Sequence, residues 1–124
     1  MLVEIDFNSD EALYLQLTDQ IIMGIATSRL HIGDPLPSVR QLADTVGINM
    51  HTVNKAYALL RQEGYIQMDR RRGAVIAVDM DRIKAIENLK EGLQGPIARA
   101  FCKDVKREDV YEVVAGIFDE LEGV

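Results

Sequence analysis

Between Pro37 and Gly64 the chain carries two complete sets of helix start and stop signals, and this stretch limits the fold more narrowly than any other. Pro35 and Pro37 end whatever precedes them, and Ser38 with Gln41 three residues later has the spacing of a capping box. The helix so started lasts only to about Val46, because Gly47 supplies the left-handed residue that closes a helix. Asn49 then caps a longer helix running to about Glu63, and Gly64 ends it. A short helix, a turn of about three residues containing glycine and a longer helix have the proportions of a helix-turn-helix unit.

The flanks complete a recognisable order. From Glu11 to Leu30 the residues Leu13, Leu17, Ile21 and Ile25 recur every four positions, with Tyr14 and Ile22 widening the stripe, which predicts an amphipathic helix. After Gly64 the period falls to about two. Tyr65 to Met68 and Ala74 to Val78 predict a β-hairpin whose tip, Asp69 to Gly73, is basic, and this would form a wing beside the helix pair. Helical spacing returns at Ile83, Ile86, Leu89, Leu93, Ile97, Ala100 and Phe101, with a kink or break expected at Gly95-Pro96. A last helix from about Arg107 to Leu121 places Val110, Val114, Ile117, Phe118 and Leu121 on one side.

The expected fold is mainly α with a small β-hairpin. Residues 1–78 are read as a winged helix-turn-helix DNA-binding domain and 79–124 as a two-helix dimerisation tail. A tail of about forty residues cannot bury both of its stripes by itself, so a second copy of the chain is the simplest support. The interface would use Leu89, Leu93, Ile97, Phe101, Val110, Val114, Ile117, Phe118 and Leu121.

Charge at first sight argues against a polyanionic partner, since fourteen Lys and Arg face twenty Asp and Glu for a net −6. The distribution reverses that reading. Residues 1–34 carry one positive and six negative side chains, 35–78 six and three, and 79–124 seven and eleven, so the sections net −5, +3 and −4. A basic middle between acidic flanks suits a protein that meets phosphate on one face only.

Other classes find little support. No apolar run reaches the roughly 20 residues of a membrane-spanning helix, and the opening MLVEIDF lacks a basic and then apolar leader, so a cytoplasmic location without membrane contact is expected. The single cysteine, Cys102, offers neither an internal disulfide nor a zinc site and is expected to pack in a core. His31 and His51 belong to separate helix ends, and no phosphate-binding glycine loop or spaced His and carboxylate cluster appears. No enzyme, metal or cofactor is therefore expected.

With Val53 at the centre of the inner face of the longer helix, steps of about 100° set Ala56, Tyr57 and Leu60 beside it and His51, Asn54, Lys55 and Ala58 opposite. A helix entering the major groove leads with its N-terminal residues, where side chains that donate and accept meet base edges. Asn49, His51, Thr52, Asn54 and Lys55 suit that task. Arg40 has the donor fork to reach a phosphate or a guanine edge, and Arg70, Arg71, Arg72 and Gly73 would lie along or in the minor groove.

The runs Leu36-Pro37-Ser38-Val39-Arg40-Gln41-Leu42-Ala43, Gly47-Ile48-Asn49-Met50-His51-Thr52-Val53-Asn54-Lys55-Ala56-Tyr57 and Glu63-Gly64-Tyr65-Ile66 resemble the winged-helix domain of GntR-type bacterial transcription regulators. Asn49, Thr52-Val53 and Ala56-Tyr57, followed by a short two-helix tail, resemble the YtrA-like subfamily, as do Phe7-Asn8, Tyr14-Leu15-Gln16-Leu17 and Gly33-Asp34. The resemblance implies a repressor that binds double-stranded operator DNA as a homodimer, often at operons encoding ABC transporters. It places DNA contacts on Ser38, Arg40, Asn49, His51, Thr52, Asn54 and Lys55, with the wing at Arg72 and Gly73. Two departures stand out. The family's wing usually reads Gly-x-Gly before a Thr and an aromatic residue, where this chain has Arg71-Arg72-Gly73-Ala74-Val75, and the family's Pro or Arg near position 50 is Met50.

Two matters stay open on sequence alone. A winged helix can serve protein contact without DNA, although such a use favours an apolar, aromatic outer face in place of the amide-bearing one. A small-molecule effector between tail and winged domain, near Met80, Phe101 or Tyr111, is neither identified nor excluded.

Overall fold

The structure, a computed structural model, describes residues 3–123. They divide into two compact units with the boundary between Asp79 and Met80. The first unit contains α1 (Leu13–Ala26), α2 (Val39–Val46), α3 (Met50–Gln62), β1 (Ile66–Asp69) and β2 (Gly73–Ile76). The second contains α4 (Arg82–Cys102) and α5 (Arg107–Glu122). No described helix is long and apolar enough to cross a membrane.

Local signals set the ends of α2 and α3 as expected. Ser38 Oγ accepts from Gln41 N while Gln41 Oε1 accepts from Ser38 N, both at 3.1 Å, so each satisfies an otherwise orphaned donor. Gly47 closes α2 in the left-handed region at φ 79°. Asn49 Oδ1 then accepts from His51 N at 2.7 Å to start α3.

The first helix is shorter than its apolar spacing predicts. It stops at Ala26 because Ser28 turns left-handed (φ 61°) and the Arg29 and Leu30 amides both donate back to Gly24 O at 2.9 Å. Leu30 thereby folds over Gly24, where an added Cβ would come within 2.9 Å of Leu30 Cδ1. The stripe residue Leu30 thus packs from a turn rather than from a fifth helical turn.

Leu17 and Ile21 of α1, Leu42 and Ala43 of α2, Val53, Ala56 and Leu60 of α3, and Ile66 and Ile76 of the hairpin form one buried core. Each large aliphatic side chain removed from water contributes about 1.5–3 kcal/mol, which makes this cluster the main support of the unit. Gln16, also buried, donates from Nε2 to the carbonyls of Asp6 and Glu11 and accepts at Oε1 from Asp6 N. Together with Gln20, whose Oε1 accepts from Glu4 N at 2.8 Å and whose Nε2 donates to Glu4 O, it clips the N-terminal arm to α1.

β1 and β2 pair antiparallel from Ile66 with Ile76 to Asp69 with Gly73. The segment before α2 pairs with the other edge of β2. Gly33 N donates to Ile76 O (2.8 Å), Ile76 N to Asp34 O (2.9 Å) and Leu36 N to Ala74 O (2.8 Å), and Pro35 bridges Val75. Ala74, Val75 and Ile76 are consequently all buried, and the alternating pattern expected of the hairpin gives way on this strand.

In the second unit the expected interruption at Gly95-Pro96 is absent as a break, since α4 runs through Pro96. Gly95 has no Cβ to clash with the proline ring, which eases one of the clashes that disfavour a helical residue before proline. Cys102, expected in a core, is exposed at the end of α4. No described residue of α4 or α5 is buried, and most residues of the two apolar stripes are exposed, from Leu93 at 36% to Phe101 at 79%.

Candidate nucleic-acid interface

The inner face of α3 is set by packing. Val53, Ala56, Tyr57 and Leu60 are buried, and the Tyr57 hydroxyl donates to Pro37 O at 2.7 Å across the entry to α2. Burial pushes the Tyr57 hydroxyl up to about 12, so it stays protonated and keeps donating. This bond fixes the start of α2 against the middle of α3.

The opposite face is thereby turned outward. His51, Asn54, Lys55 and Ala58 are exposed, and Thr52 is half-buried. Neither α2 nor α3 carries an acidic residue in its first turn, so the positive ends of both helix dipoles are unopposed, whereas α5 has Glu108 and Asp109 there. An anion approaching the start of α2 or α3 meets backbone amide groups and no carboxylate of that first turn.

The expected contact residues differ in how much of each remains available. Ser38 and Asn49 spend an oxygen on capping, so Asn49 retains its amide NH2 and Ser38 its hydroxyl proton for an outside acceptor. Arg40 is exposed in the first turn of α2 and has no ion-pair partner among the described residues. Lys55 is exposed but not solitary, since its Nζ stands 4.0 Å from the centre of the Tyr14 ring. Such a cation over an aromatic face gains roughly 0.5–1 kcal/mol at an exposed site, enough to bias where the ammonium sits. Tyr14 read in sequence as part of the core stripe, and its half-buried ring in fact spans α1 and α3.

Wing and helix pair are linked by a continuous run of bonds. Tyr57 holds Pro37, Leu36 holds Ala74 of β2, and Gly33 beside them accepts from Arg72 Nη1 at 3.0 Å. At the wing tip Asp69 Oδ1 accepts from Arg71 N (2.8 Å) and Arg72 N (3.1 Å), and these backbone bonds hold its carboxyl below the usual carboxylate range. Arg70 and Arg71 are exposed, while Gly73 adopts φ 74°, the left-handed geometry that a glycine accommodates without strain. The pairing of residues 33–36 with β2 escaped sequence reasoning, although the spacing Pro35-x-Pro37, which favours extended backbone, was its visible trace.

In the second unit all nine residues expected at a dimer interface retain exposed surface, with Val110 and Leu121 half-buried and the other seven exposed. Ile86, Leu89, Leu93, Ile97 and Phe101 line an open apolar groove along α4. Among the described residues no group of three His, Cys, Asp or Glu is placed to hold a metal ion.

Comparison with known proteins agrees with this geometry. Residues 13–76 match the family described as bacterial regulatory proteins, gntR family. The chain is 30% identical over 119 residues to the uncharacterised HTH-type transcriptional regulator YhcF of Bacillus subtilis, covering 94% of this chain and 96% of that one. It is 32% identical over 126 residues to the HTH-type transcriptional repressor YtrA of the same organism, covering 98% and 96%. The solved structure of YtrA from Sulfolobus acidocaldarius, a GntR-family transcription factor, superposes with a TM-score of 0.63 at 40% identity, covering 75% of this chain and 98% of that one.

Proposed function

The chain belongs to the gntR family of bacterial regulatory proteins, as a YtrA-like member, and from that premise we propose that it represses transcription as a homodimer on a two-fold related operator. DNA-binding regulation of transcription, rather than catalysis, is the activity of the family. The reading assigns recognition to α3, with Asn49, His51, Thr52, Asn54 and Lys55 at base edges and phosphates, Ser38 and Arg40 on the flanking backbone, and the basic wing alongside. Two copies would set their α3 helices about one helical turn, roughly 34 Å, apart in successive major grooves. Exclusion of polymerase from the occupied site would then repress.

The observation that carries this reading is the outward face of α3, polar, unopposed by acid at its N-terminus and held by the Tyr57 bond. A protein-docking use of the same surface would favour apolar and aromatic residues, and His51, Asn54 and Lys55 stand there instead. Dimerisation is supported by the second unit, none of whose described helix residues is buried within it and most of whose apolar stripe residues are exposed. Burying even four such side chains against a copy would contribute about 6–12 kcal/mol before the entropy of association is subtracted.

Titrating duplex DNA at two salt concentrations tests the reading. It expects binding at low ionic strength that weakens steeply as salt rises, because cations on the protein displace counterions from phosphate. Salt-independent binding, or none, would count against it.

A further inference from the structure

The wing presents three consecutive arginines, and the structure uses them unequally. Arg72 is turned back onto its own chain, with Nη1 donating to Gly33 O at 3.0 Å and Nη2 lying 3.7 Å from Asp69 Oδ2. Asp69 in turn accepts the backbone amides of Arg71 and Arg72. Gly33 is itself held, since its amide donates to Ile76 O and its φ of 91° suits glycine. One guanidinium therefore ties the tip of the hairpin to the segment that leads into α2. Arg70 and Arg71 have no side-chain partner among the described residues.

We propose that Arg70 and Arg71 are the wing's minor-groove contacts and that Arg72 and Asp69 are positioning residues that preset the tip. This rests on the DNA-binding reading and refines it, because the family resemblance would place the wing contact on Arg72 and Gly73. Asp69 offsets part of the Arg72 charge, and with Arg72 turned back onto Gly33 the cations the tip offers to DNA are its first two guanidinium groups. Two cations on a prearranged turn match the focused negative potential of a narrow A·T-rich minor groove. Such a groove is read by width and charge more than by base identity. The loss of the family's first wing glycine follows the same logic. A turn clipped by Asp69 and Arg72 depends less on backbone permissiveness at position 71.

The test uses the full chain and a short duplex that it selects from a random pool. Two versions of that duplex carry G·C or inosine·cytosine at the flanks, which share a major-groove edge and differ at the minor-groove floor. Arg70→Gln and Arg71→Gln should each reduce the slope of log K against log salt by about 0.9 and shrink the difference between the two duplexes. The paired change Asp69→Asn with Arg72→Gln removes one charge of each sign, and it should retain the wild-type slope while weakening binding, because the shorter glutamine does not reach Gly33 O. A thermal melt shows whether each variant is folded.

The assignment is overturned if the paired variant loses as much slope as Arg71→Gln, since Arg72 would then be a DNA contact. It is equally overturned if Arg70→Gln and Arg71→Gln change neither slope nor flank preference. A wild-type chain that binds no duplex at low salt overturns the DNA-binding reading itself, an outcome visible before any wing variant is made.

Discussion

Replacing Tyr57 by phenylalanine removes one oxygen atom from the joint between α2 and α3. The ring is 8% exposed and its hydroxyl donates to Pro37 O at 2.7 Å. At neutral pH Tyr57→Phe should cost about 1–2 kcal/mol, combining a lost hydrogen bond with a carbonyl left short of a donor. The same hydroxyl makes stability depend on alkali. Its pKa is raised from 10.0 to about 12 by burial, so the unfolded chain gives up this proton first and stability is lost as pH rises from 10 towards 12. With about 1.36 kcal/mol per unit, the full loss approaches about 3 kcal/mol, and about half of it falls below roughly pH 11. Tyr57→Phe has no such proton, so its disadvantage should shrink with rising pH and vanish near about pH 11. Urea unfolding of both proteins in a pH series reads this directly, and the remaining ionisable groups cancel in the comparison. Parallel curves across the alkaline range would refute the buried donor and the fixed helix joint built on it.

On the outer face of α3, Asn54→Ala should relax discrimination among single-base variants of the operator by about 1–3 kcal/mol at one position, and an unchanged preference would misplace that face. Lys55→Ala should weaken binding to all duplexes and lower the salt slope by about 0.9. Tyr14→Leu, which removes the ring beneath Lys55, should lower stability by about 0.5–1 kcal/mol, whereas Tyr14→Phe keeps the ring and should lose less. In the second unit, Leu93→Asp would put a charge in the middle of the apolar stripe and should give a monomer in sedimentation; a persistent dimer would move the interface elsewhere.

What the sequence disclosed was local. The capping box at Ser38 and Gln41, the left-handed Gly47 and the Asn49 cap depend on residues within a few positions, and the buried face of α3 follows from helical period alone. Contacts between distant residues left little trace. The strand-like pairing of residues 33–36 with β2 and the bond from Arg72 to Gly33, 39 residues away, arise from tertiary packing. Lys55 reads as a plain solvent-facing cation until Tyr14 is found beneath it. The end of α1 at Ala26 escaped because Ile25 and Leu30 continue the apolar rhythm while the backbone has already turned at Ser28. Of the kink or break expected at Gly95-Pro96, the break does not occur, since α4 runs through Pro96.

The central claim is that the outward side of α3 reads operator DNA in a two-fold arrangement. Selecting duplexes from a random pool with the full chain and footprinting the winners tests it most directly. The account predicts an inverted repeat with half-sites about one helical turn apart and protection in two successive major grooves. Pools that yield no enriched sequence, or a single asymmetric footprint unaffected by Asn54→Ala, would contradict it.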